Sequence, residues 1–149
     1  MSEFTLARGD ELKLENQFVS WLRENGWTEI SQSHGKRGTP DITAVSPTGK
    51  KVIFEVKADR PKGDGRKTDE RSVDYPTLIG QICTRMLDES VEYAIVISKE
   101  GLPWFKARMP RIPLERLQLR ISVVNDSIQE LNHDYNFLKC PEPTRNSTS

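Results

Sequence analysis

Asp41, Glu55 and Lys57 are the residues whose types and spacing suit chemistry. They lie in residues 38–57, GTPDITAVSPTGKKVIFEVK, which read as two strands joined by a turn, with Pro40-Asp41 at the start and Glu55-Val56-Lys57 at the end. Side chains alternate along an extended segment, so Ile53, Glu55 and Lys57 share one face while Val52, Phe54 and Val56 share the other. Asp41 opens the partner strand, and closing the hairpin can bring both carboxylates to one end. Two hard oxygen donors, helped by a backbone carbonyl such as that of Val56, suit Mg²⁺, or Mn²⁺ as its substitute. Phosphodiester hydrolysis needs such a cation to neutralise the phosphate, lower the pKa of the attacking water and stabilise the leaving oxygen. Lys57 adds a charge that can orient the water or stabilise the transition state.

A helix must stand beside this hairpin. From Asp10, a capping residue, Leu14, Phe18, Trp21 and Leu22 recur at helical spacing until Asn25-Gly26 stops the run. Glu15 falls inside the apolar stripe, among Phe18, Val19 and Leu22, where a carboxylate needs a reason. It either reaches a metal, directly or through water, or sits at the edge of the stripe and reaches solvent. Glu11, one turn earlier, is the more exposed competitor.

Residues 27–33 alternate and predict a strand, followed by a basic, glycine-punctuated loop over residues 34–38. Residues 51–58 predict the second hairpin strand, and residues 59–74, rich in Gly, Pro and charge, a long loop. Pro76 then opens a second helix whose apolar stripe runs through Ile79, Ile82, Cys83, Met86 and Leu87. Residues 93–98, YAIVIS, suit a strand covered on both faces. Beyond them the expectations are a short helix over residues 114–119, an edge strand over residues 121–124 and a last helix over residues 128–138. The fold class is α/β, a mixed central sheet flanked by helices.

With 149 residues, 35% hydrophobic and 30% charged, the composition fits one polar globular domain and excludes a disordered chain. The expected organisation is a flexible arm over residues 1–9, one domain over residues 10–138 with its core at about 11–98 and an elaboration at 99–138, and a disordered tail over residues 139–149. No apolar run approaches the ~20 residues of a membrane span, and the first residues are too polar for a secretory signal, so the expected setting is intracellular and cytoplasmic. Cys83 and Cys140 form neither a disulfide framework nor a zinc spacing. Cys83 reads as a core residue, and nothing points to an organic cofactor.

Formal net charge is zero, so contact with nucleic acid must come from local patches or from a partner protein. Lys36 and Arg37 flank the carboxylates, and Arg66 and Lys67 lie in the long loop; these are the expected DNA contacts. Lys106, Arg108, Arg111, Arg116 and Arg120, faced only by Glu115, form another basic run. His34, in a solvated loop, and His133 read as bystanders.

Pro40-Asp41 and Glu55-Val56-Lys57 resemble the PD and ExK elements of the PD-(D/E)XK nuclease superfamily. Glu15-Asn-Gln-Phe18 with Trp21-Leu22 and Gly26, the loop ending Gly38-Thr-Pro40-Asp41-Ile42, and the ExK strand are similar to archaeal-type Holliday junction resolvases and VRR-type nucleases. The resemblance covers residues 11–98. It implies a restriction-endonuclease-like αβββαβ core and a Mg²⁺-dependent endonuclease acting on branched or structured DNA in recombination or repair. By the match Asp41 and Glu55 are metal ligands, Lys57 the catalytic lysine and Glu15 the auxiliary acid. Gln81 stands where related nucleases carry a polar active-site residue, although it projects opposite the Ile79/Ile82/Met86 stripe. A restriction-like or transposition-associated nuclease subunit is the alternative, and a non-catalytic nucleic-acid-binding or assembly protein on the same fold is the alternative of another class. Paired cuts would call for a homodimer, which no residue here specifies.

Overall fold

Asn25-Gly26 ends the first helix by a mechanism legible in its backbone bonds. The computed structural model of the chain describes residues 3–33, 36, 38–59 and 71–138, with side chains from residue 11 onward. Helix α1 runs Glu3–Glu24. Gly26, at φ 83°, lets the Trp27 N–H return to the Leu22 carbonyl at 3.0 Å and the Gly26 N–H to that of Arg23 at 3.4 Å. This is a Schellman closure, in which a left-handed residue satisfies carbonyls that the helix leaves open. Trp27 and Leu22, brought together by that turn, both enter the core.

Six strands follow: β1 Thr28–Gln32, β2 Ile42–Val45, β3 Lys51–Lys57, β4 Glu92–Ser98, β5 Arg120–Val124 and β6 Ile128–Asn132. They lie side by side in chain order in a single sheet. The first three are antiparallel, β3, β4 and β5 are parallel, and β6 returns antiparallel on β5. Parallel neighbours need a crossover. Helix α2, Arg71–Thr84, supplies the first, and α3, Leu102–Arg108, with α4, Arg111–Leu117, the second. The fold is therefore α/β with the αβββαβ order at its core, as the sequence implies.

Alternation along β3 and β4 divides the interior in two. Val52, Phe54, Val56, Ala94 and Val96 pack under α1 with Leu14, Phe18, Val19 and Leu22. Tyr93, Ile95 and Ile97 face α2, α3 and α4 through Tyr75, Leu78, Ile82, Phe105 and Leu114. Each fully buried Phe, Leu or Ile contributes about 1.5–3 kcal/mol relative to an exposed one, so both helical layers are firmly seated on the sheet.

Several expectations are corrected. Helix α1 begins at Glu3, so most of the expected free arm is helical backbone; Gly9 alone does not outweigh the helix formers around it. Helix α2 begins at Arg71 and carries Pro76 inside it, at the loss of one backbone bond. Its buried side is Asp74, Tyr75, Leu78 and Ile82, which turns Cys83 out to solvent and leaves Leu87 90% exposed. The i, i+3, i+7 run beginning at Tyr75 outcompetes the stripe beginning at Ile79 because an aromatic ring buries more area. Strand β5 is interior rather than an edge. The edge is β6, formed by residues expected to be helical: the turn at residues 125–127 folds Ile128 back against Val124, and pairing with β5 overrides local preference. Helix α4 matches the expected short helix, while α3 was not foreseen; Pro103 stands in its first turn, where proline is tolerated. The expected tail lies outside the described residues.

A clamp at the end of β3 fixes the sheet to α2. Arg71 donates to both Asp59 carboxylate oxygens at 2.8 Å, and the Tyr75 hydroxyl donates to Oδ1 at 2.9 Å. Gly101 passes so close that a Cβ there would lie 1.8 Å from the Tyr75 hydroxyl. Gly101→Ala is therefore expected to lower unfolding free energy by about 1–3 kcal/mol in urea titrations, and to cost less in a Tyr75→Phe background, where the obstructing hydroxyl is gone.

Candidate active site

The β2/β3 ladder ends where the carboxylates begin. Ile42 pairs with Phe54, and one residue further out side chains replace the ladder. The Asp41 N–H donates to Glu55 Oε2 at 3.1 Å, and the Val56 N–H donates to Asp41 Oδ2 at 2.9 Å. Each acid is thus held by the backbone of the opposite strand. The hairpin does bring the pair to one end, and the Val56 carbonyl leaves the extended strand on the same edge as its N–H.

Glu55 is 2% exposed. Its pKa is pushed up to about 7, first by burial, then by the Asp41 charge and by contact with the Asp41 carboxyl; hydrogen bonds from the Asp41 N–H and from Arg85 oppose the rise. Arg85, just past the end of α2, donates from Nε to Glu55 Oε1 at 3.0 Å and from Nη2 to the Thr39 carbonyl at 3.2 Å.

Glu15 is buried on α1. Gln32 donates to its Oε1 at 3.2 Å and to Asn16 Oδ1 at 3.0 Å, which ties α1 to β1. Burial raises its pKa to about 7, with the charges of Asp41 and Glu11 adding to the rise and the Gln32 bond opposing it. Glu15 therefore belongs to the electrostatic field of Asp41 and titrates near neutrality. The competitor Glu11 lies 4.0 Å from the Lys57 ammonium.

Lys57 shares the face of Glu55 and stands 3.9 Å from the buried Asp74 of α2. With both acids beyond hydrogen-bonding distance, the ammonium is held by charge at the rim of the site and stays part-exposed.

Gln81 is exposed, one helical turn before Arg85 on the same side of α2. Lys36 is exposed; Arg37, Arg66, Lys67 and His34 lie outside the described residues. Arg120 does not belong to a free basic patch: it binds Glu92 at 2.8 Å and Glu130 at 3.5 Å and lies over the Trp27 ring. It stands at the opposite end of the parallel strands from Lys57. Arg111 pairs with Glu115 at 3.0 Å.

Arg85, Gln32 and Asp74 were missed in the sequence. Asp74 carried a faint signal as a lone acid one residue before Tyr75; Arg85 carried one in its spacing of four from Gln81. Gln32 carried none.

The donor set fits a hard divalent cation in its chemistry: two oxygen acids side by side, Glu55 buried and Asp41 half-buried. Among the described residues no group of three or more His, Cys, Asp or Glu is disposed to hold a metal. A pair alone suits Mg²⁺, which commonly takes one or two carboxylates and fills its remaining positions with water and substrate phosphate.

A carboxyl whose folded pKa is raised favours the fold below its unfolded pKa, and that contribution is lost as pH rises through the folded value near 7. Glu15→Gln is accordingly expected to match the parent in stability near pH 4 and to exceed it at pH 8 by about 1–3 kcal/mol. Denaturant titrations at the two pH values check this; equal stability at both would place Glu15 in contact with water.

No protein-family model matches the sequence, and no curated protein matches it. Solved structures do resemble it. An XisH family protein from Nostoc punctiforme superposes with a TM-score of 0.55 at 16% identity, over 78% of this chain and 97% of that one. An fdxN element excision controlling factor protein from Anabaena variabilis gives 0.57 at 16% identity, over 83% and 99%. A protein of unknown function from Silicibacter pomeroyi gives 0.52 at 14% identity, over 83% and 70%. At such identities the likeness carries the fold.

Proposed function

We propose that this chain is a Mg²⁺-dependent endodeoxyribonuclease that hydrolyses phosphodiester bonds in branched or otherwise structured DNA, as a Holliday junction resolvase does. The observation that carries the reading is the reciprocal hold of Asp41 and Glu55 across the hairpin, with Lys57 next on the same face of β3. A protein with no use for a buried Glu55 beside a second acid would be more stable without it. The name of one structural neighbour, an fdxN element excision controlling factor protein, is in keeping with work on rearranging DNA.

Asp41 and Glu55, with the Val56 carbonyl, would hold the cation, and Mn²⁺ would substitute for Mg²⁺. When bound, the ion supplies charge neutralisation at the phosphate and an acidified water. The protein supplies the rest. Lys57 stands two residues beyond Glu55 on the same face of β3, and its ammonium, placed between Glu11 and Asp74, offers a preset charge to a phosphate oxygen or to the attacking water. Glu15, with a carboxyl that titrates near neutrality, can hold or release a proton at Oε1 or Oε2 beside Asp41. Lys36, exposed on the approach to Asp41, serves phosphate contact, and Arg37, Arg66 and Lys67 are proposed to act with it.

A second reading rests on Arg85. A guanidinium on Glu55 also suits a protein that binds DNA on this fold without cutting it. Labelled four-way junction, flap, single strand and linear duplex, incubated with and without Mg²⁺ or Mn²⁺, separate the two. Cleavage that requires metal and favours the junction is expected, whereas folded protein that cuts none of the four establishes the binding reading. Lys57→Ala is expected to reduce cleavage by about 100-fold or more with junction binding retained in gel-shift assays; unchanged cleavage would put the chemistry elsewhere.

A further inference from the structure

Arg85 is the one cation in direct contact with the acid pair among the described residues. Both Glu55 oxygens are engaged, Oε1 by Arg85 at 3.0 Å and Oε2 by the Asp41 N–H at 3.1 Å. The second Arg85 contact, 3.2 Å from Nη2 to the Thr39 carbonyl, lies two residues before Asp41. One planar group therefore ties the loop that delivers Asp41 to the strand that delivers Glu55, a two-point grip that a lysine cannot reproduce. The contacts use two of five N–H donors, and the side chain is 22% exposed, so the guanidinium is open to a partner arriving from solvent. It extends from the turn after Thr84, outside α2, where it can swing without disturbing the helix.

We propose that Arg85 is a built-in surrogate cation: it neutralises the Asp41–Glu55 pair in the free protein, competes there with a divalent ion, and yields when DNA phosphate offers it another bidentate partner. This rests on the nuclease reading and assigns that site a regulation. A guanidinium and a divalent cation repel each other at a shared carboxylate, so each weakens the other. Phosphate matches the guanidinium fork as well as a carboxylate does, and its arrival removes the repulsion. Divalent ion and DNA then bind with positive coupling, which by linkage is equal in both directions, and the free protein keeps its hydrolytic centre unloaded.

Titrating Mn²⁺ into the full-length protein at pH 8, followed by calorimetry, tests this without relying on activity. Arg85→Gln is expected to bind Mn²⁺ about tenfold more tightly than the parent, the scale of one lost charged hydrogen bond. Arg85→Lys, which keeps the charge but not the two-point grip, is expected to fall between them, and it decides the matter if Arg85→Gln does not fold. Asp41→Asn in each background is expected to abolish the heat. If Asp41 is required but neither Arg85 variant binds more tightly than the parent, the surrogate role is overturned and the nuclease reading stands. If no Mn²⁺ binding depends on Asp41 in any background, both fall.

Discussion

A buried Glu55 and a half-buried Asp41 meet at one corner of a sheet, and their mutual repulsion is the constraint around which the molecule is arranged. Burial and the neighbouring Asp41 raise the Glu55 pKa to about 7, so at neutral pH the pair stands close to taking up a proton. The site persists because each acid accepts an N–H from the facing strand and because Arg85 supplies a positive charge. Each of these is a charge-assisted bond of the stronger kind. Take away the hairpin register and the bonds lose their geometry; take away Arg85 and the charge is left uncompensated.

Everything near the site holds this corner in place. Helix α1 brings Glu15 within the electrostatic field of Asp41 because Phe18, Val19 and Leu22 seat its stripe on the sheet, and Gln32 fixes the carboxyl from β1. Helix α2 and the turn after it close the other side through two ion pairs, Arg71 with Asp59 and Arg85 with Glu55. Asp74 and Glu11 flank Lys57 from the two helices, so the ammonium lies at the meeting point of both layers. Under the proposed function this rigidity would have a chemical use: groups preset around a developing charge need no rearrangement at the moment of reaction.

The charge balance of the chain also becomes intelligible. A net charge of zero looks unsuited to the proposed contact with DNA until the cations are sorted by partner. Arg71, Arg85 and Arg120 pair with acids within the fold, Arg111 with its helical neighbour, while Lys36, in the loop that leads to Asp41, is exposed. A local patch can serve phosphate where the total does not advertise it.

The sequence by itself determined the hairpin, the alternation that puts Glu55 and Lys57 on one face, the end of α1 at Asn25-Gly26 and the anomaly of Glu15, because each follows from local periodicity or a residue's own backbone preference. It misread the C-terminal region, where residues 128–132 are a strand only because β5 offers a partner, and it misread which side of α2 is buried, since a helix does not record what it packs against. Only the tertiary structure decided that Arg85 reaches Glu55, 30 positions away, and that Gln32 holds Glu15. Contacts between side chains distant in sequence leave no period behind, and a long polar side chain reads the same in the sequence whether it ends in water or on a buried acid.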